Sequence, residues 1–376
     1  MTNLAPLSFL ATRADYQAQA EALLAAVTAH DESAEWRFKW MHPRFHGRPV
    51  TAVRAASLDL DDARLLVARE YSFERWVDLE SFVQAVALDT AVHRFETAAD
   101  AVVDGDRERL ETLLREDPTL ARARSTRRHH ATLLHYVAAN GVEGVRQRTP
   151  ANAVEIARSL LGAGAEPDAL ADMYDHQCTT MSMLVSSTPP AEAGLQVTLA
   201  ETLLEHGAAL MGPGSEWSDT VRGALTFGFI DTARALAAHG GRVNDLAVAA
   251  GLGQLGETAR LLPSASAERQ KMALALASMH GHARIVQLLL DAGAEPNQYN
   301  PDGFHAHSTP LHQAVSAGHA ETVRLLVERG ARLDVRDRIF DGTPLDWALY
   351  GQRTEIAEYL RERGETLDST HSEARS

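Results

Sequence analysis

One pattern recurs along this chain and limits what it can fold into. The stretch "STPLHQAVSAGHAETVRLLVERGARLDVRD" (308–337) repeats as "GTPLDWALYGQRTEIAEYLRERGETL" (342–367). Thr309 and Thr343 are 34 residues apart, as are Gly330 and Gly364. The same grammar appears in "MALALASMHGHARIVQLLLDAGAEPNQYN" (272–300). It appears again in "ATLLHYVAANG" (131–141) followed by "AVEIARSLLGAGAEPDAL" (153–170). Gly207 and Gly240 add a spacing of 33. Each unit reads as two short amphipathic helices. The first opens with Thr as N-cap and Pro in the first turn, which handles the orphan amide donors. The second carries paired apolar residues such as Val323, Leu325 and Leu326 and closes at a Gly suited to a left-handed cap. One such unit cannot bury its apolar face alone, but stacked units can.

The recurring "TPLH…A…GH…VRLL…GA" strongly resembles the ankyrin repeat family over roughly residues 93–367. The resemblance implies an all-α solenoid of about seven to eight stacked helix–turn–helix units. It also implies that the TPLH and GH histidines are scaffold, bonding backbone near helix ends. Here those are His135 and His312, and His282 and His319. Two of the four histidines in "GFHAHSTPLHQAVSAGH" (303–319) are then accounted for, leaving His305 and His307.

Departures from the period are where a scaffold is open to adaptation. The second repeat is interrupted by "VEGVRQRTPAN" and the third by "SSTPPAEAGLQV", at equivalent positions, so the two insertions are expected side by side on a working face. The fifth unit, "LAVAAGLGQLGETARLLPSAS", lacks its terminal finger. Gly240 and Gly293 are 53 apart, too long for one repeat and too short for two. A notch or bend is expected there.

Residues 1–92 lack the repeat and read as a helical cap for it. "RADYQAQAEALLAAVTAH" and "LDLDDARLLVAREYSFERWVDLESFVQAVA" are amphipathic. Within the latter, "LVAREYSFERWVDLESFV" is similar to a segment that precedes the repeats in many bacterial ankyrin proteins. Between them, "EWRFKWMHPRFHGRP" (35–49) interleaves aromatic and basic residues, suited either to an anionic ligand or to packing on the first repeats. Residues 368–376 read as a disordered tail.

Ionisable residues gather on the fingers between repeats. "DMYDHQC" places Asp172, Tyr174, His176 and Cys178 at alternating positions, on one face of an extended arm. "TRRHH" brings Arg127, Arg128, His129 and His130 one layer before. "FHAHS" puts His305 and His307 on a later finger. Arg127, Arg128, His129, Asp172, Tyr174, His176, His305 and His307 are therefore the candidate ligand-binding residues. HEXXH and CxxC spacings are absent, and neither a metal nor a cofactor is expected. A Cys178 nucleophile with His176 as base would need a lowered thiol pKa.

The formal net charge is −15, from 36 basic and 51 acidic residues, which disfavours nucleic acid and anionic membrane as partners. The sole cysteine fits a reducing compartment. The start, "MTNLAPLSFLATRADYQ", lacks the basic head and apolar core of a signal peptide, so the cytoplasm is expected. The resemblance implies a non-enzymatic scaffold binding a protein or peptide through a concave finger face. The alternative is a small-molecule-binding protein or enzyme with an ionisable site, open to metal binding, on the fingers of repeats two and three.

Overall fold

The structure is a computed structural model that describes residues 5–142, 144–212 and 219–373, the last nine of these as backbone only. It divides into two compact units, within residues 1–218 and 219–376. Among the described residues, helices pair as the repeat period predicts, and the one sheet is a two-stranded hairpin. No described helix is long and apolar enough to cross a membrane.

In the first unit, helices Arg13–Thr28, Glu32–Met41, Leu60–Glu70 and Trp76–Leu88 precede the repeats. Tyr16, Leu23, Phe38, Phe45, Leu66, Val67 and Tyr71 form their common core. The basic–aromatic stretch is largely consumed in this packing. Phe38 and Phe45 are buried, and Arg37 makes a two-pronged pair with buried Glu70 at 2.7 and 2.6 Å. Trp40 stays exposed, stacked on Trp36 with the Lys39 ammonium 4.0 Å from its ring. Three repeats follow: Thr90–Asp104 with Arg107–Glu116, Leu133–Val137 with Ala153–Gly162, and Thr180–Leu184 with Gln196–Glu205.

Both insertions, expected on a working face, are tied into the scaffold. The second-repeat insertion folds back as a clamp on the cap. Gly144 N–H donates to the Glu70 carbonyl at 2.9 Å, and the Ser72 hydroxyl donates to the Val142 carbonyl at 3.1 Å. Its Arg146 pairs with Asp100 and Asp104, and its Arg148 with Asp104. Phe9 lies between two guanidinium groups, 4.5 Å from Arg127 and 4.3 Å from Arg146. The Phe9 amide donates to Asp100 at 2.9 Å. The third-repeat insertion is a short helix, Thr188–Glu192. It is tied in by the Gln196 amide, which donates to the Leu184 and Ser187 carbonyls at 2.9 and 3.0 Å.

The second unit holds five helix pairs: Thr220–Thr226 with Ile230–Ala238, Leu246–Gly251 with Leu255–Leu261, Ala267–Met279 with Ala283–Asp291, Pro310–Ala317 with Ala320–Glu328, and Pro344–Tyr350 with Thr354–Glu373. The last helix continues to Glu373, so 368–373 is helical rather than the expected tail, while 374–376 lie outside the described residues. Val286, Leu289, Leu311, Val315, Val323 and Leu326 are buried in one cluster. Burying each contributes about 1.5–3 kcal/mol.

Histidines fasten the repeats of both units. In His312, Nδ1 accepts the Thr309 N–H at 3.3 Å, which leaves the hydrogen on Nε2 to donate to the Gly342 carbonyl at 3.2 Å. His135 does the same with Thr132 and the Cys178 carbonyl. The two GH histidines, His282 and His319, donate from Nε2 to the Gly251 and Met279 carbonyls at 2.9 and 3.0 Å. Gly281 has φ +72°, and a Cβ there would sit 2.5 Å from the His319 ring, so glycine is required twice over.

The missing fifth finger leaves a gap that another finger fills. After Leu255–Leu261 the chain makes one 3-10 turn, Leu262–Ser264, and enters the next helix directly. The long finger after Ala283–Asp291 reaches back, and His305 Nε2 donates to the Thr226 carbonyl at 3.1 Å. His280 covers the neighbouring Leu225 carbonyl at 2.8 Å.

Candidate functional site

The finger between repeats two and three is a hairpin of β1 (Ala171–Met173) and β2 (His176–Cys178). Its register pairs Asp172 with Gln177 and Met173 with His176. Tyr174 and Asp175 are the two turn residues, at φ +53° and +62°. Both adopt the left-handed conformation that a two-residue hairpin turn demands, without glycine to ease it. The turn at Tyr174 and Asp175 corrects the expectation that Asp172, Tyr174, His176 and Cys178 share one face. Cross-strand partners share a face, so His176 and Cys178 lie with Met173, and Asp172 lies with Gln177 on the other side. The Gln177 amide donates to the Asp172 carboxylate.

A cleft of about 690 Å³ opens beside this hairpin, lined by Arg69, Glu74, Arg128, His129, His130, Asp172, Tyr174 and His176, with Met41, Phe73 and Met173. The preceding finger is held to the hairpin by the Asp172 N–H, which donates to the His129 carbonyl at 2.8 Å. His130 lies 3.0 Å from the Asp172 carboxylate through Nδ1. Exposed Arg128 pairs with Glu74, and the Tyr174 hydroxyl donates to the Asn140 side-chain oxygen at 2.7 Å. Among the described residues His176 has no side-chain partner and Arg69 no carboxylate partner.

Of the eight candidate residues, the cleft gathers Arg128, His129, Asp172, Tyr174 and His176. Arg127 is elsewhere. Its side chain is fully buried, pairing with equally buried Glu96 at 2.8 Å and lying over Phe82 at 4.7 Å. The neighbouring Arg128 has the exposed position. His129 lines the cleft, but its ring is buried against Tyr136 and its Nδ1 accepts the Ala131 N–H. Burial, with Arg127 nearby, pushes its pKa down to about 3, so it is neutral at ordinary pH. His305 and His307 lie in the second unit. His305 is occupied by the Thr226 carbonyl, and His307 packs on Trp347 with ring centres 6.0 Å apart.

Burial raises the Cys178 thiol above its ordinary range, the reverse of what a nucleophile needs, and its Sγ donates to the Met173 carbonyl at 3.6 Å. Among the described residues no three His, Cys, Asp or Glu side chains are placed to hold a metal ion.

Sequence reasoning missed a second exposed feature. In the finger before Pro344–Tyr350, buried Asp337 accepts the N–H groups of Ile339, Phe340 and Gly342 at 2.9, 2.7 and 2.9 Å. It also accepts the Trp347 indole N–H at 3.0 Å. One carboxylate thus fixes the loop, and the loop presents Ile339 and Phe340 to solvent at 49% and 58% exposure. The signal was present in "DRIFDG", two large apolar residues between two acids.

Paired helices, glycine caps and histidine fasteners together define a stacked helical-repeat protein with exposed fingers. The chain belongs to the ankyrin-repeat family: a model described as ankyrin repeats (3 copies) matches residues 245–337 and 274–371. The chain is 40% identical over 95 residues to human "Cyclin-dependent kinase inhibitor 2A", covering 25% of this chain and 58% of that protein. It is 41% identical over 83 residues to human "Cyclin-dependent kinase 4 inhibitor B", covering 22% and 57%. To the bovine protein of that name it is 35% identical over 127 residues, covering 32% and 93%. The match thus spans little more than half of each human relative.

Proposed function

We propose that this chain is a non-enzymatic binding scaffold whose fingers recognise a protein or peptide. The observation that carries the reading is the Asp337 loop. It holds two large apolar side chains in water on a backbone fixed by one buried carboxylate. Burying each against a partner would contribute about 1.5–3 kcal/mol. A fixed loop loses little conformational freedom on binding. Family membership supports the same reading. The relatives' names describe inhibitors of cyclin-dependent kinases, so a protein kinase is the class of partner to test first. The cleft beside β1 and β2 offers a second contact in the first unit, with Arg128 and His176 at its rim. A net charge of −15 argues against nucleic acid and anionic membrane as partners, and the lone cysteine supports a cytoplasmic location.

The test is to identify proteins retained by the immobilised chain and titrate the purified partner calorimetrically against wild type and Ile339→Ala/Phe340→Ala. The reading expects a loss of about tenfold or more, since buried aromatic anchors dominate such interfaces. Undiminished affinity in the double variant would remove the loop from the interface.

A further inference from the structure

A second cavity, of about 530 Å³, lies in the second unit between helix Ala267–Met279 and the long finger that follows helix Ala283–Asp291. Four charged residues line it: Glu268, Lys271, Asp302 and Arg338. Among the described residues none of the four has an ion-pair partner, although the cavity contains both signs. Glu268 and Lys271 are three residues apart on one helix, a spacing at which opposite charges meet. At that spacing Asp61–Arg64, Arg75–Asp78 and Glu257–Arg260 all close, at 2.9, 2.6 and 2.5 Å. Glu268 and Lys271 do not.

The wall that carries these charges is fixed. The Asn297 amide donates to the Gly330 carbonyl at 2.9 Å, and its oxygen accepts the Arg332 N–H at 2.8 Å. The Tyr299 hydroxyl donates to the Arg336 carbonyl at 2.7 Å, and the Arg338 guanidinium lies over the Tyr299 ring at 3.8 Å. Asn300 is buried, and its amide faces Ser308. Gln298, exposed at the same cavity, adds an amide able to donate and accept.

We infer that this cavity binds a small zwitterion, a molecule carrying both a carboxylate and a protonated amine. Lys271 and Arg338 face the carboxylate, and Glu268 and Asp302 the ammonium. Neither a simple anion nor a simple cation satisfies both pairs, because each would leave one pair facing its own sign. The volume suits a free amino acid or a short peptide. Both sources share this chemistry.

The experiment titrates the full chain with a panel of free L-amino acids and with unblocked dipeptides, up to about 10 mM, by calorimetry. The N-acetyl and methyl-ester forms of any binder are run beside it, each removing one charge. Lys271→Ala and Glu268→Ala are the variants. Neither side chain belongs to the core or makes an ion pair, and unchanged melting temperatures confirm folding. Saturable binding is expected, weakened about tenfold or more by either blocking group and by either variant. Preference for amino acids or for dipeptides identifies the source. No saturable binding by any unblocked compound, or binding indifferent to both variants, overturns the inference. Neither result bears on the protein-binding reading, which rests on Ile339 and Phe340.

Discussion

His305 and Thr226 are 79 residues apart, yet the imidazole Nε2–H donates to the threonine carbonyl at 3.1 Å. The bond exists because the fifth repeat has no finger and the sixth finger is long enough to cover the helix end thus exposed. His305→Ala leaves that carbonyl uncovered. It is expected to lower unfolding free energy by about 1–2 kcal/mol, read from urea denaturation, while partner binding persists. A variant that keeps full stability but loses binding would move His305 from scaffold to contact surface.

The Arg127–Glu96 pair gives the largest expected single-site effect. Burial pushes Glu96 up to about 7 despite the neighbouring guanidinium. Arg127→Ala would leave a buried carboxyl without its partner, at a cost of about 3–5 kcal/mol. Arg127→Met with Glu96→Leu replaces both by apolar groups and should recover most of that loss. If the double variant is as unstable as the single one, the pair is not the source of the effect.

Acid should destabilise the fold as its buried histidines protonate. Burial holds His129 at about 3 and His135 and His280 at about 4, and lowers His282, His312 and His319 as well. A histidine depressed in the fold contributes fully above its unfolded value of about 6.5 and loses that contribution as pH falls below it. His135 alone removes about 2 kcal/mol by about pH 5. Glu96 works the other way, because a raised folded pKa favours the fold as pH drops from about 7 to 4.5. Burial raises Glu70 in the same direction. Two carboxyls do not offset several histidines, so the melting temperature should fall steadily between about pH 6.5 and 4. A flat profile over that window would contradict the buried, neutral imidazoles.

The repeat architecture was legible because its signals are local. Thr309–Pro310 and Thr343–Pro344 start helices, Gly318 and Gly330 end them, and the 34-residue period aligns the rest. The candidate site was only partly legible because side-chain placement depends on residues far along the chain. Arg127 and Arg128 are adjacent and chemically equal in sequence. Glu96, 31 residues earlier, draws one inward, and Glu74 holds the other at the surface. The position of the turn in this hairpin was not legible because Tyr174 and Asp175 take left-handed conformations without a glycine to mark them. The second-repeat insertion read as a binding loop because nothing near Arg146 announces Asp100, 46 residues away.

A scaffold that binds through its exposed fingers must have those fingers shielded by its partner. Amide hydrogen exchange with and without the purified protein partner reads this segment by segment. Added protection is expected over 337–342, where Asp337 holds Ile339 and Phe340 outward, and over 172–177 if the first-unit cleft takes part. Protection confined to other segments, with 337–342 exchanging as fast in the complex as in the free chain, would contradict it.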